Sequence, residues 1–198
     1  MRQTKDNLLR AMLWGSAFVS VAVLLTIVGY LFYKGFSYIS FDFIFGDYSP
    51  VGGGGIFPMI ITTIYTIIIS LIIATPIGIL AAVYLHEYAK QGRLVRIIRY
   101  ATESLTGIPS IIYGLFGAVF FVAILKLGMS IIAASLTLTI IVLPVIIRTT
   151  EEALKTVPAS YREGSLALGT TKLQTLYKVI LPSAMPGILS GIILSIGR

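Results

Sequence analysis

Two arginines stand where a charge is costly to keep. Arg148 closes the apolar run 129–147, and Arg198 follows the apolar run 183–197. A guanidinium is a permanent cation with five N–H donors in a fixed fork. Such a group captures an oxyanion by charge and hydrogen bonds without transforming it. At ~1.5 Å per residue Arg198 lies well inside a bilayer that its run enters. A charge persists there when it faces a cavity or a partner; the alternatives are snorkelling to the outer face or a structural pair. Arg148 ends its run at a membrane face, where arginine commonly serves as an interfacial anchor, and its position alone favours that reading.

The remaining chemistry-bearing residues argue against catalysis. There is no cysteine, and the single histidine, His86, lies just past an apolar run and reads as interfacial. Disulfides, thiol chemistry and a metal cluster are therefore not expected. Glu151, Glu152 and Glu163 fall in one polar segment, with no Ser-His-Asp set and no paired carboxylates inside a span. The glycine run Gly52, Gly53, Gly54, Gly55 lacks the Gly-Lys-Ser/Thr that a phosphate-cradling loop requires, and reads as an outer connection. The expectation is a protein with no catalytic residue, no metal, no cofactor and no ATP site of its own.

The elements that carry these residues are spans. Of the 198 residues 57% are hydrophobic and 12% charged, with a mean hydropathy of +0.95. A soluble domain carries about a quarter charged residues. So few ionic groups do not cover a water-facing surface, whereas lipid covers an apolar one. Apolar runs at 11–33, 59–85, 108–125, 129–147 and 183–198 predict an all-α, polytopic transmembrane bundle with about five helices. Pro76 is expected to kink the second run. The last run has 16 residues, short of a crossing, and reads as a piece of a longer protein cut before a sixth helix. Aromatic residues in the first connection, Phe36, Tyr38, Phe41, Phe43 and Phe45, read as interfacial anchors.

The net charge of +7 is distributed unevenly. Three Lys/Arg precede the first run, four lie in 86–106 and five in 148–182, against only Lys34 and Lys126 on the other connections. This places the N-terminus and the 148–182 segment in the cytoplasm, and explains the basic charge without nucleic acid. The expected localisation is a prokaryotic inner or plasma membrane. Residues 1–198 read as a single transmembrane domain with a cytoplasmic loop at 148–182.

That loop reads as two short helices hinged at Gly169. Ser160 and Glu163 have capping-box spacing, as do Thr171 and Gln174; Pro158 is an alternative first helical residue. Gly169 supplies the left-handed residue that ends a helix, and Pro182 is expected to end the second helix before the membrane. Leu166, Leu173, Leu176, Tyr177 and Ile180 are expected to form apolar contacts. Gly187, Gly191 and Ser195 recur every four residues, the spacing that lets membrane helices pack closely. Thr62, Thr63, Thr66, Thr137 and Thr139 are expected to bond their own helix backbones.

Glu163-Gly164-Ser165, then Gly169, then Val179-Ile180-Leu181-Pro182 closely resembles the coupling-loop signature of bacterial ABC importer permeases. Gly164 and Ser165 stand where that signature has two alanines, and Val179 where isoleucine is usual. The resemblance implies that Glu163, Gly164, Ser165, Gly169, Leu181 and Pro182 couple to a cytoplasmic ATPase. Three further stretches, Gly107-Ile108-Pro109-Ser110 through Gly117, Arg148-Thr149-Thr150-Glu151-Glu152-Ala153-Leu154, and 187–198, resemble the permeases of the bacterial phosphate importer. The Arg148 stretch and residues 53–88 are similar to its A-type subunit. The resemblance implies an ABC type I importer fold, a second and different permease, two ATP-binding cassette subunits and an extracytoplasmic phosphate-binding protein. It also implies a role for Arg148 and Arg198 on the substrate path. A permease for phosphonate, sulfate or molybdate, or a secondary transporter, are the competing readings; the latter leaves the coupling signature unexplained and lacks the internal repeat such proteins often show.

Overall fold

The computed structural model describes residues 2–51 and 54–197, with side chains described from residue 6 onward. Gly52, Gly53 and Arg198 therefore lie outside the described residues. The chain forms two compact units, residues 1–61 and 62–198.

In the first unit α1 (Arg2–Gly35) is a single 34-residue helix. Its apolar stretch is exposed all round within the unit, as expected for a helix surrounded by lipid. A 3₁₀ turn (Phe36–Tyr38) and the short α2 (Phe41–Phe45) follow. Ser40 caps α2 by accepting a hydrogen bond from the Phe43 amide at 3.1 Å. The Gly55 amide donates to the Asp47 carbonyl and the Ile56 amide to that of Phe43, each at 2.8 Å. Phe45 sits 6.1 Å, centroid to centroid, from both Phe41 and Phe57. The aromatic connection thus has order of its own.

In the second unit four elements matter. They are α3 (Phe57–Val83), which begins before the unit and continues as a π-helical turn (Tyr84–Tyr88); α4 (Arg93–Thr106); α5 (Ser110–Gly117), extended by a π-helical stretch (Ala118–Ile124); and α6 (Ile131–Thr156). After α6 come α7 (Ala159–Ala167), α8 (Lys172–Thr175) with a π-helical stretch (Leu176–Ile180), and α9 (Leu181–Ile196). Lys126 and Gly128 adopt positive φ of 54° and 65°, making the tight turn into α6. The other unit's α1 and the runs Phe57–Tyr88, Ile131–Thr156 and Lys172–Ile196 are long and apolar enough to cross a membrane.

The third expected span differs. α4 and α5 meet at 96° and count as a span only together. Pro109 lacks an amide hydrogen and disfavours helical geometry at the residue before it, so the chain breaks between Gly107 and Pro109. The Tyr113 hydroxyl donates to the Leu105 carbonyl at 2.8 Å across the bend.

Small residues set how closely the helices approach α6. A Cβ on Gly187 would stand 2.7 Å from the Ala153 Cβ, and one on Gly191 would run into the Thr149 hydroxyl. Ser195 is buried on the same stripe. The four-residue recurrence is therefore the α6–α9 contact. On the other side a Cβ on Gly78 would stand 2.7 Å from Ile146 Cγ2, and Ser70 donates to the Ser135 carbonyl at 3.1 Å. Thr66, Thr137 and Thr139 bond the carbonyls four residues back, at 2.7, 2.8 and 2.8 Å. Val83, Leu154, Leu176, Ile180 and Ile188 gather in one buried cluster where α3, α6 and the run 172–196 come together.

The polar segment 148–182 is not one loop. Residues 148–156 complete the last turns of α6, and Leu181 and Pro182 lie in α9. Pro182 does not end the second helix: 172–196 is one continuous helical run. A proline ring clashes with the carbonyl four residues back. The wider π-helical turns immediately before Leu181 supply the room. Pro158, not Ser160, is the N-cap of α7, which carries no side-chain cap bond, so the Ser160–Glu163 box does not form. Ser160 stands inside the helix.

Candidate functional site

The segment between α6 and α9 is a helical hairpin, and its local chemistry explains its shape. α7 ends at Leu168, and Gly169 takes φ of +81°, the left-handed conformation a glycine adopts without Cβ strain. Thr171 and Gln174 form a complete capping box at the start of α8, with bonds of 3.3 and 2.9 Å. Between the arms three hydroxyls close a triangle. Ser165, Thr170 and Thr175 lie 2.8 to 3.0 Å apart, with Thr175 1% exposed. Ser165 thus ties α7 to α8, a bond that an alanine there would not make.

The hairpin's apolar residues divide. Leu176 and Ile180 are buried against the helix bundle, as expected. Leu166, Leu173 and Tyr177 are not: they are exposed, and Leu168 at the tip is 86% exposed. Glu163 and Gly164 share this outward surface, and a Cβ on Gly164 would meet nothing within 4 Å.

The hairpin is held on the end of α3. Glu87, whose side chain is 6% exposed, pairs with Arg162 of α7. Lys172 of α8 donates to the Glu87 carbonyl and stands 4.7 Å over the Tyr88 ring. His86 Nδ1 lies 3.1 Å from the same Glu87 carboxylate.

Arg148 lies beside a second ionic group. Its guanidinium bonds Glu103 of α4 and Glu152 one turn on, each at 3.1 Å, and its side chain is half exposed. Beneath it Arg99 pairs with Glu151 at 2.5 Å. A cleft of about 180 Å³ opens between them, lined by Arg99, Arg148 and Lys155 and by Glu103, Glu151 and Glu152. Balanced charge makes this an ion-pair lattice, in which Arg148 is already engaged by carboxylates. Arg198 lies outside the described residues. Among the described residues no group of three or more His, Asp or Glu is placed to hold a metal.

Sequence reasoning missed Glu87, Arg99 and Glu151 as members of these groups, and assigned Glu151 to a loop. One signal was present: Glu87 is the first carboxylate after the second apolar run, ahead of the four basic residues of 86–106.

The comparisons with known proteins agree with this architecture. Residues 74–198, more than half the chain, match the family described as binding-protein-dependent transport system inner membrane component. The probable ABC transporter permease protein YqgI of Bacillus subtilis (strain 168) is 37% identical over 198 residues, covering 100% of this chain and 67% of that protein. The phosphate transport system permease protein PstA 1 of Mycobacterium tuberculosis (strain ATCC 25618 / H37Rv) is 40% identical over 145 residues, 73% of this chain and 47% of that protein. The chain thus spans about half to two thirds of the length of these relatives. An inward-facing structure of the MetNI methionine ABC transporter superposes with a TM-score of 0.58 at 27% identity, covering 72% of this chain and 66% of that one. With helices of the second unit packed on α6 and a family match over residues 74–198, the chain belongs to the inner membrane component family of binding-protein-dependent transport systems.

Proposed function

We propose that this chain is a permease subunit of an ATP-driven importer of inorganic phosphate, and that the hairpin of α7 and α8 docks the ATP-hydrolysing partner. The observation that carries the coupling half is the exposed set Leu166, Leu168 and Leu173 on a hairpin braced from within by Ser165 and Thr175. A rigid apolar tip that stays exposed among the described residues suits a groove in a partner. The substrate half rests on relatives named as phosphate transport permeases.

In this reading residues 1–198 act as one permease domain with the N-terminus in the cytoplasm, on the excess of basic residues before α1, in 86–106 and in 148–182. Glu163, Gly164, Ser165 and Gly169 form the docking segment, and Leu181 and Pro182 pass its movement into α9. The partners are a second, different permease, two ATP-binding cassette subunits, which carry out the hydrolysis, and an extracytoplasmic phosphate-binding protein. Arg148 and Arg198 line the path. Arg148 takes up the anion by exchanging Glu103 or Glu152 for phosphate, a weak exchangeable contact of the kind conduction needs. Arg198 is assigned from the sequence.

The test is labelled phosphate uptake in cells lacking the gene and restored with the full-length protein, with excess sulfate, molybdate or phosphonate as competitors. The expected result is uptake that needs the gene, resists all three competitors and is lost in Arg198→Ala with the complex assembled. Uptake blocked by one competitor reassigns the substrate to that anion. Uptake unaffected by deletion, in a strain with no second phosphate importer, overturns the phosphate assignment.

A further inference from the structure

We propose that the π-helical end of α3 is where movement of the hairpin enters the membrane helices that are not joined to it covalently, with the Glu87–Arg162 ion pair as the connecting strut. The proposal rests on the reading that the hairpin docks an ATPase. The chain itself joins the hairpin to α6 at residues 157–158 and to α9 through 176–180. It makes no such connection to α3, whose end lies 75 residues away in sequence. Force reaches α3 only through side chains.

Val83 packs against Leu154, Leu176 and Ile180, and the polar side chains converge on one residue. Arg162, from the first arm, pairs with the Glu87 carboxylate. Lys172, from the second arm, bonds the Glu87 carbonyl and covers the neighbouring Tyr88 ring. Both arms thus grip α3 at the same point, so the hairpin does not pivot about a single bond. The grip is on the helix's C-terminal turn, where carbonyls lack intrahelical partners and the helix dipole attracts cations. Arg99 and Gln91 reach the Leu85 carbonyl there at 3.4 and 3.5 Å, bringing in α4 as well. The Glu87 carboxylate is nearly excluded from solvent, and separating it from Arg162 would strand a buried charge. The contact therefore stays closed while the hairpin moves. Without it α6 and α9 would follow the hairpin while α3 lagged, shearing the Gly78–Ile146 contact.

The experiment uses the complete importer, with the full-length chain and all partner subunits, in proteoliposomes, reading labelled phosphate taken up per ATP hydrolysed. In Glu87→Gln and in Arg162→Gln the ATPase rate is expected to stay within about twofold, while uptake per ATP falls about tenfold or more. The exchanged pair Glu87→Arg with Arg162→Glu is expected to recover at least about half of the loss. Unchanged uptake per ATP in Glu87→Gln overturns the strut. A second arm does not depend on the single variants assembling. Glu87→Cys with Arg162→Cys, in a stretch of 198 residues that has no other cysteine, is joined by a short bifunctional maleimide. Unlinked, this variant lacks the strut and is expected to take up little phosphate per ATP; recovery on linking supports a contact that stays closed, and uptake that does not recover overturns it. Failure of the docking reading shows separately, as ATPase subunits that still co-purify with Leu168→Asp, whereas failure of the strut leaves docking intact.

Discussion

Arg99 of α4 and Glu151 of α6 meet at 2.5 Å, with the glutamate side chain 8% exposed and the arginine 34%. This pair fixes the amphipathic α4 against the last turns of α6 and forms the floor beneath Arg148. Removing one member strands the other at a partly dry site. Glu151→Ala is expected to destabilise the second unit by about 1–3 kcal/mol, read as a lower thermal midpoint of the purified protein in detergent. Glu152→Ala, on the exposed side of the same helix, is expected to cost under about 1 kcal/mol.

The α6–α9 contact depends on the absence of side chains. Gly191→Leu places a branched chain against the Thr149 side chain, whose Cβ would stand 2.6 Å from the added Cβ, too near the backbone to swing away. Overpacking of this kind costs about 1–3 kcal/mol or more. Gly114→Leu, where a Cβ meets nothing within 4 Å, serves as the control. The expected outcome is loss of folded protein in the first, by size-exclusion profile after membrane extraction, and an unchanged profile in the second.

Gly169 has φ of +81°, so Gly169→Ala strains the turn between α7 and α8 by about 1–2 kcal/mol. Open space around it removes any steric cause. The strain should appear as faster amide hydrogen exchange confined to residues 165–175, with exchange in α6 unchanged.

Thr171→Ala removes the side-chain half of the capping box, a change worth about 1 kcal/mol. Ser165→Ala removes one corner of the hydroxyl triangle and leaves Thr175 with Thr170. Each is expected to loosen the hairpin measurably by hydrogen exchange. The two together should exceed either alone, because both brace the same two arms.

Much of this protein was legible in local order. The left-handed Gly169, the Thr171–Gln174 box and the four-residue recurrence of Gly187, Gly191 and Ser195 each depend on residues within about two helical turns of one another, and each formed as read; of the apolar runs, 108–125 did not stand as a span by itself but joins α4 across a 96° bend. The Ser160–Glu163 box had the same spacing and did not form, because Pro158 already set the entry geometry of α7. Pro182 was read as a stop because a proline is costly in ordinary α-helical turns; it became a through-position once the preceding turns widened.

The amino-acid sequence by itself determined that this is a membrane-spanning helical protein with a hairpin hinged at Gly169, because hydropathy, capping and glycine geometry act over a few neighbouring residues. Tertiary structure alone decided which charges meet. Glu87 finds Arg162 across 75 residues, and Arg99 finds Glu151, because the crossing of α3, α4 and α6 brings those turns to one end of the second unit. No local rule contains that register: an ion pair depends on where two helix axes lie in space, and burial of apolar and small residues along α6 sets those positions.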